Sequence, residues 1–445
     1  MNKKLLAAAV AAAVVASPAA FAESTVYGKM HASIDAIDYE TSDEDNYEVN
    51  SRASRLGFKG SEDLGNGLKA IYQAEFSVAT VVASPAAFAE STIYGKFHTS
   101  VDMNDVDDRK DNWEMNSRAS RLGFKGSEDL GNGLKAIYQI ELQVNSGGGS
   151  DGQGSTSFLG KSSRNTFIGL AGDWGTFLVG RHDTPAKMAF YATGNERLGD
   201  SVIDLNLGNN LGGRPSTNAP IGVFHEYRAD DAIAYVSPNF SGFTVAAAMI
   251  PGEDNGNSTP SSTSLVWGPN TGTGPAFITN TVTNAACSNG RDGIADHYSV
   301  GLMYKGNGLR AGAGYASYDL DQCGNSNMDD YEVMQIGASY TMNNFSVGAQ
   351  YEDSENPGGT KADYTAWAVT GKYTFGNNAI AAVYTDAEYE PSSSVCSNCD
   401  TDRSGWGVSA EHNFSKRTKV YAAYASGENE YDDPNDSDED DDVFS

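Results

Sequence analysis

The sequence predicts an all-β chain that folds into a single antiparallel β-barrel. Apolar and polar residues alternate along short segments, and tight turns alternate with long polar loops from Ser91 onward. Alternation with a period of two is the pattern of a strand whose two faces meet different surroundings. A membrane-spanning helix would need about 20 consecutive apolar residues, and the chain beyond residue 22 contains no such stretch.

Residues 297–304 show the alternation clearly. Tyr298, Val300 and Leu302 fall on one face, and Ser299 lies between them on the other. The same pattern recurs in residues 334–340, 345–351 and 406–414. A soluble sandwich would point the apolar face into a core, whereas a membrane barrel points it to lipid. Strands of about ten residues with aromatic residues at their ends favour the membrane barrel, so the face of Val300 is predicted to point outward.

The predicted strands are joined by short connections on one side and long ones on the other. Tight connections are predicted at residues 128–133, 172–175, 237–242, 305–308, 342–344, 375–378 and 413–417. Long polar loops alternate with them at residues 251–296, 319–330, 353–362, 388–403 and 427–442. This asymmetry is typical of transmembrane β-barrels, which also have an even number of strands. We count fifteen strands from Ser91, with Val443–Ser445 opening another. A sixteen-stranded transmembrane barrel with a truncated last strand is therefore predicted.

The first 22 residues have the three parts of a secretory signal peptide. Lys3 and Lys4 form a positive start, residues 5–15 are apolar, and residues 20–22 supply the small residues that a signal peptidase reads. Residues 1–22 are therefore predicted to be removed before Glu23, and the protein to be exported.

Part of the N-terminal region occurs twice. VVASPAAFAEST stands at residues 14–25 and 81–92, and NSRASRLGFKGSEDLGNGLKAIYQ at residues 50–73 and 116–139. A recent duplication and a joining of two related genes explain the repeat equally well. The first copy is predicted to lie outside the barrel, because Pro85 in the connection lacks the N–H group that a central strand needs. The predicted organisation is a signal peptide (1–22), a partial copy (23–79), a linker (80–89) and a barrel (90–445).

The charge of the chain limits its partners. A net charge of −29 argues against nucleic acid, because phosphate backbones bind basic surfaces. The last 19 residues hold ten Asp or Glu and no Lys or Arg. Acidic loops at the opening of a barrel raise the local concentration of cations there. If the barrel encloses a channel, a weak preference of that channel for cations is therefore predicted. No HExxH or P-loop motif appears, and residues 432–442 do not match a calcium-binding loop. An enzyme, a cofactor and a metal site are therefore not predicted.

Four cysteines, Cys287, Cys323, Cys396 and Cys399, lie in predicted loops. Disulfides persist in exported proteins, and four cysteines allow three connectivities. The Cys396-x-x-Cys399 motif could instead form half of a zinc site or a redox pair, although no second such motif accompanies it. Loop proximity favours two disulfides, Cys287–Cys323 and Cys396–Cys399.

Three runs resemble the early strands of the Gram-negative general diffusion porins: SRLGFKGSEDLGNGLKAIYQIEL (120–142), RNTFIGLAGDWGTFLVGRHDTP (164–185) and YRADDAIAYVSPNFSGFTVAAAM (227–249). The resemblance covers the chain from Ser91 onward. It implies a sixteen-stranded barrel, a homotrimer, and passive diffusion of small polar solutes across the outer membrane. It also implies contacts with outer-membrane lipid, lipopolysaccharide and the barrel-insertion machinery. A sugar- or anion-specific channel and a non-functional duplicated or truncated porin are the alternatives.

The resemblance further implies a constriction loop, here about residues 183–224, whose acids face basic residues on the barrel wall. The predicted loop acids are Glu196, Asp200 and Asp204. Strand parity indicates which wall residues point inward, since a charged group costs about 2–4 kcal/mol at the bilayer midplane. The predicted wall residues are Arg121, Lys125, Lys135, Glu141, Arg181, Arg310 and Lys372. For Arg181 the parity is ambiguous, because Phe177 and Val179 share its face.

Overall fold

The structure, a computed structural model, divides the chain into two units, Met1–Phe88 and Ala89–Ser445. The residues that it describes are 24–29, 32–37, 46–51, 55–65, 68–77, 91–106, 112–145, 159–207, 220–251, 265–267, 277–279, 295–319, 330–357, 361–391, 401–431 and 439–444. The predicted signal peptide and the four cysteines fall outside these residues. Among the described residues, no helix is long and apolar enough to cross a membrane.

The structure describes five strands in the first unit. Their bounds are β1 (Ser24–Lys29), β2 (Ala32–Ile37), β3 (Asn46–Ser51), β4 (Arg55–Gly65) and β5 (Leu68–Ser77). β1, β4 and β5 form one antiparallel sheet in that order, and β2 pairs with β3 in a second. The strands of this unit therefore pair with one another.

The second unit is an antiparallel barrel. Its strands are β6 (Ser91–Lys96), β7 (Thr99–Val106), β8 (Asn112–Ser117), β9 (Arg121–Gly131), β10 (Leu134–Val144), β11 (Leu159–Ser163), β12 (Thr166–Gly172), β13 (Gly175–Asp183), β14 (Arg228–Val236), β15 (Phe243–Ile250), β18 (His297–Gly306), β19 (Leu309–Tyr318), β20 (Tyr331–Met342), β21 (Phe345–Glu355), β22 (Ala362–Phe375), β23 (Asn378–Pro391), β24 (Thr401–Asn413), β25 (Lys419–Tyr431) and β26 (Glu439–Phe444). A separate hairpin joins β16 (Leu265–Trp267) to β17 (Phe277–Thr279). One described helix, α1 (Pro185–Ala192), follows β13.

Each pass of the chain along the barrel wall is called a crossing here. The pairs β6–β7, β8–β9 and β11–β12 each form one bent crossing, so the described ring has sixteen crossings. Ala119, in the bend between β8 and β9, has a φ of 48°. Successive crossings from β9 to β26 pair with their chain neighbours, as expected when hairpins build a sheet. The prediction of an all-β, sixteen-stranded antiparallel barrel is confirmed.

The last crossing joins the two ends of the ring. β26 pairs with β25 on one side and with β7 on the other, and Phe444 lies opposite both Tyr424 and Met103. This strand begins at Glu439 rather than at the predicted Val443. Acidic residues are poor strand formers on their own, but pairing on both sides overrides that preference.

The register predicted for residues 297–304 is confirmed. The side chain of Val300 is 45% exposed on the outer surface of the barrel, whereas Ser299 is fully buried on the lumen side. The turn after β18 fixes this register, because Asn307 and Gly308 have φ values of 50° and 80°. Positive φ at both central residues is the requirement of a tight two-residue hairpin turn. The barrel therefore presents an apolar surface outward, as a membrane requires.

Candidate functional site: the loop inside the barrel

The connection from β13 to β14 folds into the lumen, beginning with α1. Thr184 caps this helix, its hydroxyl accepting a hydrogen bond from the N–H of Lys187 at 3.4 Å, and Pro185 stands in the first turn, where its missing N–H costs nothing. The helix lies directly on β18 and β19. A side chain at Gly312 would place its Cβ 2.0 Å from the carbonyl oxygen of Ala189. The absence of a side chain there lets the helix approach the wall.

Beyond the helix, the loop follows the lumen face from β20 to β22 through polar contacts. The hydroxyl of Ser339 donates to the carbonyl of Thr193 at 2.5 Å. The amide of Asn195 donates to the carbonyl of Ala349 at 2.8 Å. The guanidinium of Arg197 donates to the hydroxyls of Thr370 and Ser346, each at 2.8 Å. The loop is thus fixed to three adjacent strands.

The loop then turns back on itself and builds a small apolar core inside the barrel. The N–H of Leu207 donates to the carbonyl of Phe224 at 2.8 Å, and that of Phe224 to Leu205 at 3.0 Å. The buried loop residues of this core are Phe190, Leu198, Val202, Ile203, Leu205, Leu207, Ile221, Val223 and Phe224. They pack against Tyr364, Ala366, Ala368, Val383, Ala387, Ala423 and Ala425 on the lumen face of β22, β23 and β25. The lumen wall beneath the loop is therefore apolar.

A buried polar contact holds the returning segment. The N–H of His225 donates to Glu352 at 2.9 Å. The amide of Gln335 donates to Glu352 at 2.7 Å and to the carbonyl of His225 at 2.5 Å. Glu352 is completely buried, and a buried polar group is tolerated where hydrogen bonds satisfy it. These contacts attach the end of the loop to β20 and β21.

The three predicted loop acids occupy different environments. Asp200 stands at the tip, where its carboxylate lies 2.6 Å from the ammonium of Lys96 on β6. Glu196 and Asp204 instead turn into the loop. The N–H of Leu205 donates to Glu196 at 3.1 Å, and the N–H of Asp200 donates to Asp204 at 2.9 Å. Of these three acids, only Asp200 faces a basic residue of the barrel wall.

Burial changes the protonation of the two inner acids. Loss of water raises the pKa of Glu196 well above its usual value, and the neighbouring Asp204 raises it further. Burial likewise raises the pKa of Asp204 to about 7, with Asp200 and Glu226 adding to the effect. Two carboxyl groups side by side in a dry site favour sharing a proton. The loop core therefore holds less negative charge than its sequence suggests.

One group of predicted wall residues meets around Glu141. This carboxylate lies 3.8 Å from Arg121 and 2.7 Å from Arg164, and it accepts a hydrogen bond from the hydroxyl of Tyr94 at 2.9 Å. Arg121 is the register partner of Lys96, so both lie on the lumen face near the loop tip. Arg164 was not predicted, because it lies between β11 and β12, where parity gives no direction.

Three further predicted wall residues lie away from the loop. The ammonium of Lys125 sits 5.3 Å from the centre of the Tyr94 ring, on the same lumen face. Lys135 is exposed near the short turn after β9. Arg181 forms an ion pair with the exposed Asp230 at the end of β13. The structure does not bring Lys135 or Arg181 to the loop tip.

The other two predicted wall cations hold the loop backbone. Arg310 donates to the carbonyl of Ala192 at 3.0 Å, at the helix end that favours positive charge. Lys372 donates to the carbonyl of Arg197 at 3.0 Å. Lys372 also pairs with Glu411, which lies 2.9 Å from Lys419. Lys96, Glu411 and Lys419 were missed, although their positions in alternating strands could have indicated them.

A closed antiparallel barrel with an apolar outer face and a loop folded into a charged lumen defines the porin class of outer-membrane proteins. The chain belongs to the Gram-negative porin family, whose model matches residues 7–80 and 77–432. It is an outer-membrane protein.

Relatives of known name agree with this family. The chain is 33% identical over 222 residues to the major outer membrane protein P.IA of Neisseria meningitidis serogroup A, covering 49% of this chain and 47% of the relative. It is 29% identical over 187 residues to the major outer membrane protein P.IB of Neisseria gonorrhoeae, covering 40% and 48%. The chain thus spans about half the length of the curated relatives it matches.

Solved structures share the fold. An anion-selective porin from Comamonas acidovorans superposes with a TM-score of 0.54 at 18% identity, covering 80% of this chain and 98% of that chain. The trimer form of OmpT from Vibrio cholerae superposes with a TM-score of 0.50 at 16% identity, covering 80% and 97%. At these identities the likeness concerns the fold alone.

Proposed function

We propose that this protein is a passive diffusion channel for small hydrophilic solutes and ions. The observation that carries the proposal is the loop seated in the lumen beside accessible charged side chains. The side chains of Lys96 and Asp200 remain 34% and 31% exposed although they pair with each other. Pore width and lining charge decide what passes such a constriction.

We further propose a weak preference for cations. The net charge of −29 gives the channel mouths a negative potential, which raises the local concentration of cations. The constriction opposes this effect. Arg121 and Arg164 share the single carboxylate Glu141, so positive charge is locally in excess there. The negative mouths and the positive constriction act on a passing ion in opposite directions. The net preference for cations is therefore small.

Planar-bilayer recordings of the full chain test both statements. We expect steady ohmic conductance, and in a KCl gradient a reversal potential that modestly favours potassium. The preference should shrink at high salt, since the Debye length falls from about 10 Å at 0.1 M to about 3 Å at 1 M. A chloride-favouring reversal potential at both concentrations would contradict the cation preference, and absence of conductance would contradict the channel.

The assembly proposed for this channel is a homotrimer in contact with outer-membrane lipid and lipopolysaccharide, inserted by the barrel-insertion machinery. The trimer form of the Vibrio OmpT structure is the support for the oligomeric state. Chemical cross-linking in outer membranes should give a species of three chains, and a purely monomeric pattern would contradict the trimer.

The removal of residues 1–22 is also a proposal. N-terminal sequencing of the exported protein should therefore begin at Glu23.

A further inference from the structure

The first unit repeats the strands of the first three barrel crossings. β4 and β9 have the same sequence, RLGFKGSEDLG, and the same length. β5 and β10 both begin with LKAIYQ. β1 and β6, STVYGK and STIYGK, differ at one position, Val26 against Ile93. The same residues therefore form the same strands in both units.

The pairing registers are also the same. Lys29 lies opposite Arg55 in the first unit, just as Lys96 lies opposite Arg121 in the barrel. β2 pairs Ala32 with Ser51, and β7 pairs Thr99 with Ser117 at the corresponding positions. Both β4–β5 and β9–β10 show a register shift next to their turn. The first unit thus has the local geometry of the crossings formed by β6 to β10.

The edge of β10 that continues the barrel is duplicated as well. In the ring, residues 135–139 of β10 pair with residues 167–171 of β12. Residues 69–73 of β5 carry the identical sequence, KAIYQ. Backbone hydrogen bonds and cross-strand side-chain pairs determine which strands fit each other. The edge of β5 is therefore complementary to β12 in the same way as the edge of β10.

We propose that residues 24–77 are an alternative set of the first three crossings, able to occupy the place of residues 91–143 beside β12. The barrel can then be completed by either copy, within one chain or between two chains. The second copy is favoured, because the amide of Asn104 donates to Glu114 at 2.9 Å on the lumen side. The corresponding position in the first copy is Ile37, which cannot make this hydrogen bond.

Disulfide trapping in the full chain tests the exchange. In a variant whose four cysteines are replaced by serine, Leu170→Cys is combined with either Ala136→Cys or Ala70→Cys. Ala136 is the register partner of Leu170, and Ala70 is its equivalent in the first copy. We expect the Ala136 pair to cross-link in most molecules and the Ala70 pair in a minority, with intact mass separating links within and between chains. Cross-linking of the Ala136 pair alone would overturn the proposal. A control variant combines Ala70→Cys with Ile336→Cys, which lies on a distant strand. If this control pair cross-linked as much as the Ala70 and Leu170 pair, random collision would explain the result, and the proposal would also be overturned.

Two matched deletions give an independent test. Removing residues 24–90 leaves Glu23 followed by Ser91, and removing residues 78–143 joins Ser77 to Val144. Each product keeps one set of the three crossings in its original register. We expect both products to migrate as heat-modifiable folded barrels, the second in lower yield. Folding of the first product alone would overturn the proposal. The readout is folding, so its failure is separate from any failure of the conductance test.

Discussion

At the tip of the loop, Asp200 adopts a φ of 58° and pairs with Lys96 at 2.6 Å. Aspartate tolerates this left-handed conformation better than most residues do. Because about a third of each side chain is exposed, the ion pair contributes only about 0–1 kcal/mol to stability. In the proposed channel these charges lie beside the loop tip in the lumen, so they act mainly on the permeating ions rather than on stability.

Replacing Asp200 tests this electrostatic role. Asp200→Asn removes the loop carboxylate that faces the wall and leaves Lys96 uncompensated, so the reversal potential in a KCl gradient should shift toward chloride. The midpoint of urea unfolding should change little. Lys96→Gln is the matched control and should shift the reversal potential toward potassium. A shift of both variants in the same direction would show that the pair does not set the local potential.

The inner acids of the loop predict a dependence on pH. The pKa of Asp204 rises from 3.8 to about 7 through burial, aided by Asp200 and Glu226, and that of Glu196 rises in the same direction. A raised carboxyl pKa stabilises the folded loop fully below about pH 4, and this contribution is lost as pH rises through about 7. Loop amides should therefore exchange hydrogen faster at pH 8 than at pH 5, after correction for intrinsic exchange. In Asp204→Asn this difference should become smaller, and an unchanged difference would contradict the assignment.

At the scale of elements, the position of α1 depends on residues that lack side chains. Gly301, Gly312 and Gly314 line the wall under the helix, and a Cβ at any of them would lie within 2.6 Å of a helix backbone atom. Backbone atoms of a capped helix cannot move aside cheaply. The glycines therefore determine how closely the helix lies against the wall.

Gly312→Val should displace the helix toward the passage. Overpacking costs about 1–3 kcal/mol, and we expect lower single-channel conductance together with faster proteolysis of the loop. Ala313→Val is the control, since Ala313 is the next residue of β19 and points to the other face of the strand. Equal effects of the two substitutions would indicate a general weakening of β19 rather than displacement of α1.

The strands were more predictable than the loop because a strand repeats its environment every two residues. Val300 and Ser299 take opposite faces by that period alone. Glu196 and Asp204 belong to a segment without a period, and their inward direction depends on contacts with Leu205 and Asp200 that are fixed only in the folded loop. Charge at a loop position therefore did not indicate exposure to the pore.

One signal of the loop's docking place was nevertheless present. Residues 366–369 read AWAV, an unbroken apolar run in a strand that otherwise alternates. Such a run is typical of a strand covered on both faces. In the structure Trp367 and Val369 are exposed on the outside, while Ala366 and Ala368 are buried beneath the loop. A barrel strand that loses its alternation thus indicates where another segment of the chain covers the lumen wall.

At the scale of the whole molecule, each barrel strand whose side chains are described contributes to two surfaces, one facing the lumen and one facing outward. The lumen face carries ion pairs such as Lys96–Asp200, and the outer face carries side chains such as Ile168, which is 65% exposed. Neighbouring residues of a strand alternate between these surfaces. A charged side chain is therefore tolerated at a lumen-facing position but is costly at the next position, which faces lipid. Membrane insertion therefore fixes the register of the entire barrel.

A pair of arginine substitutions tests this arrangement directly. Ile168 lies opposite Tyr138, and the adjacent pair Gln139 and Phe167 lies at the same depth, so Ile168→Arg and Gln139→Arg place the same charge on opposite faces. Ile168→Arg should destabilise the barrel by about 2–4 kcal/mol if this site lies near the bilayer midplane. Gln139→Arg should cost much less, because its side chain points into a hydrated lumen. Urea-dependent folding into lipid bilayers measures both values. If Gln139→Arg were the more costly change, the inward and outward faces of β10 and β12 would be the reverse of those described.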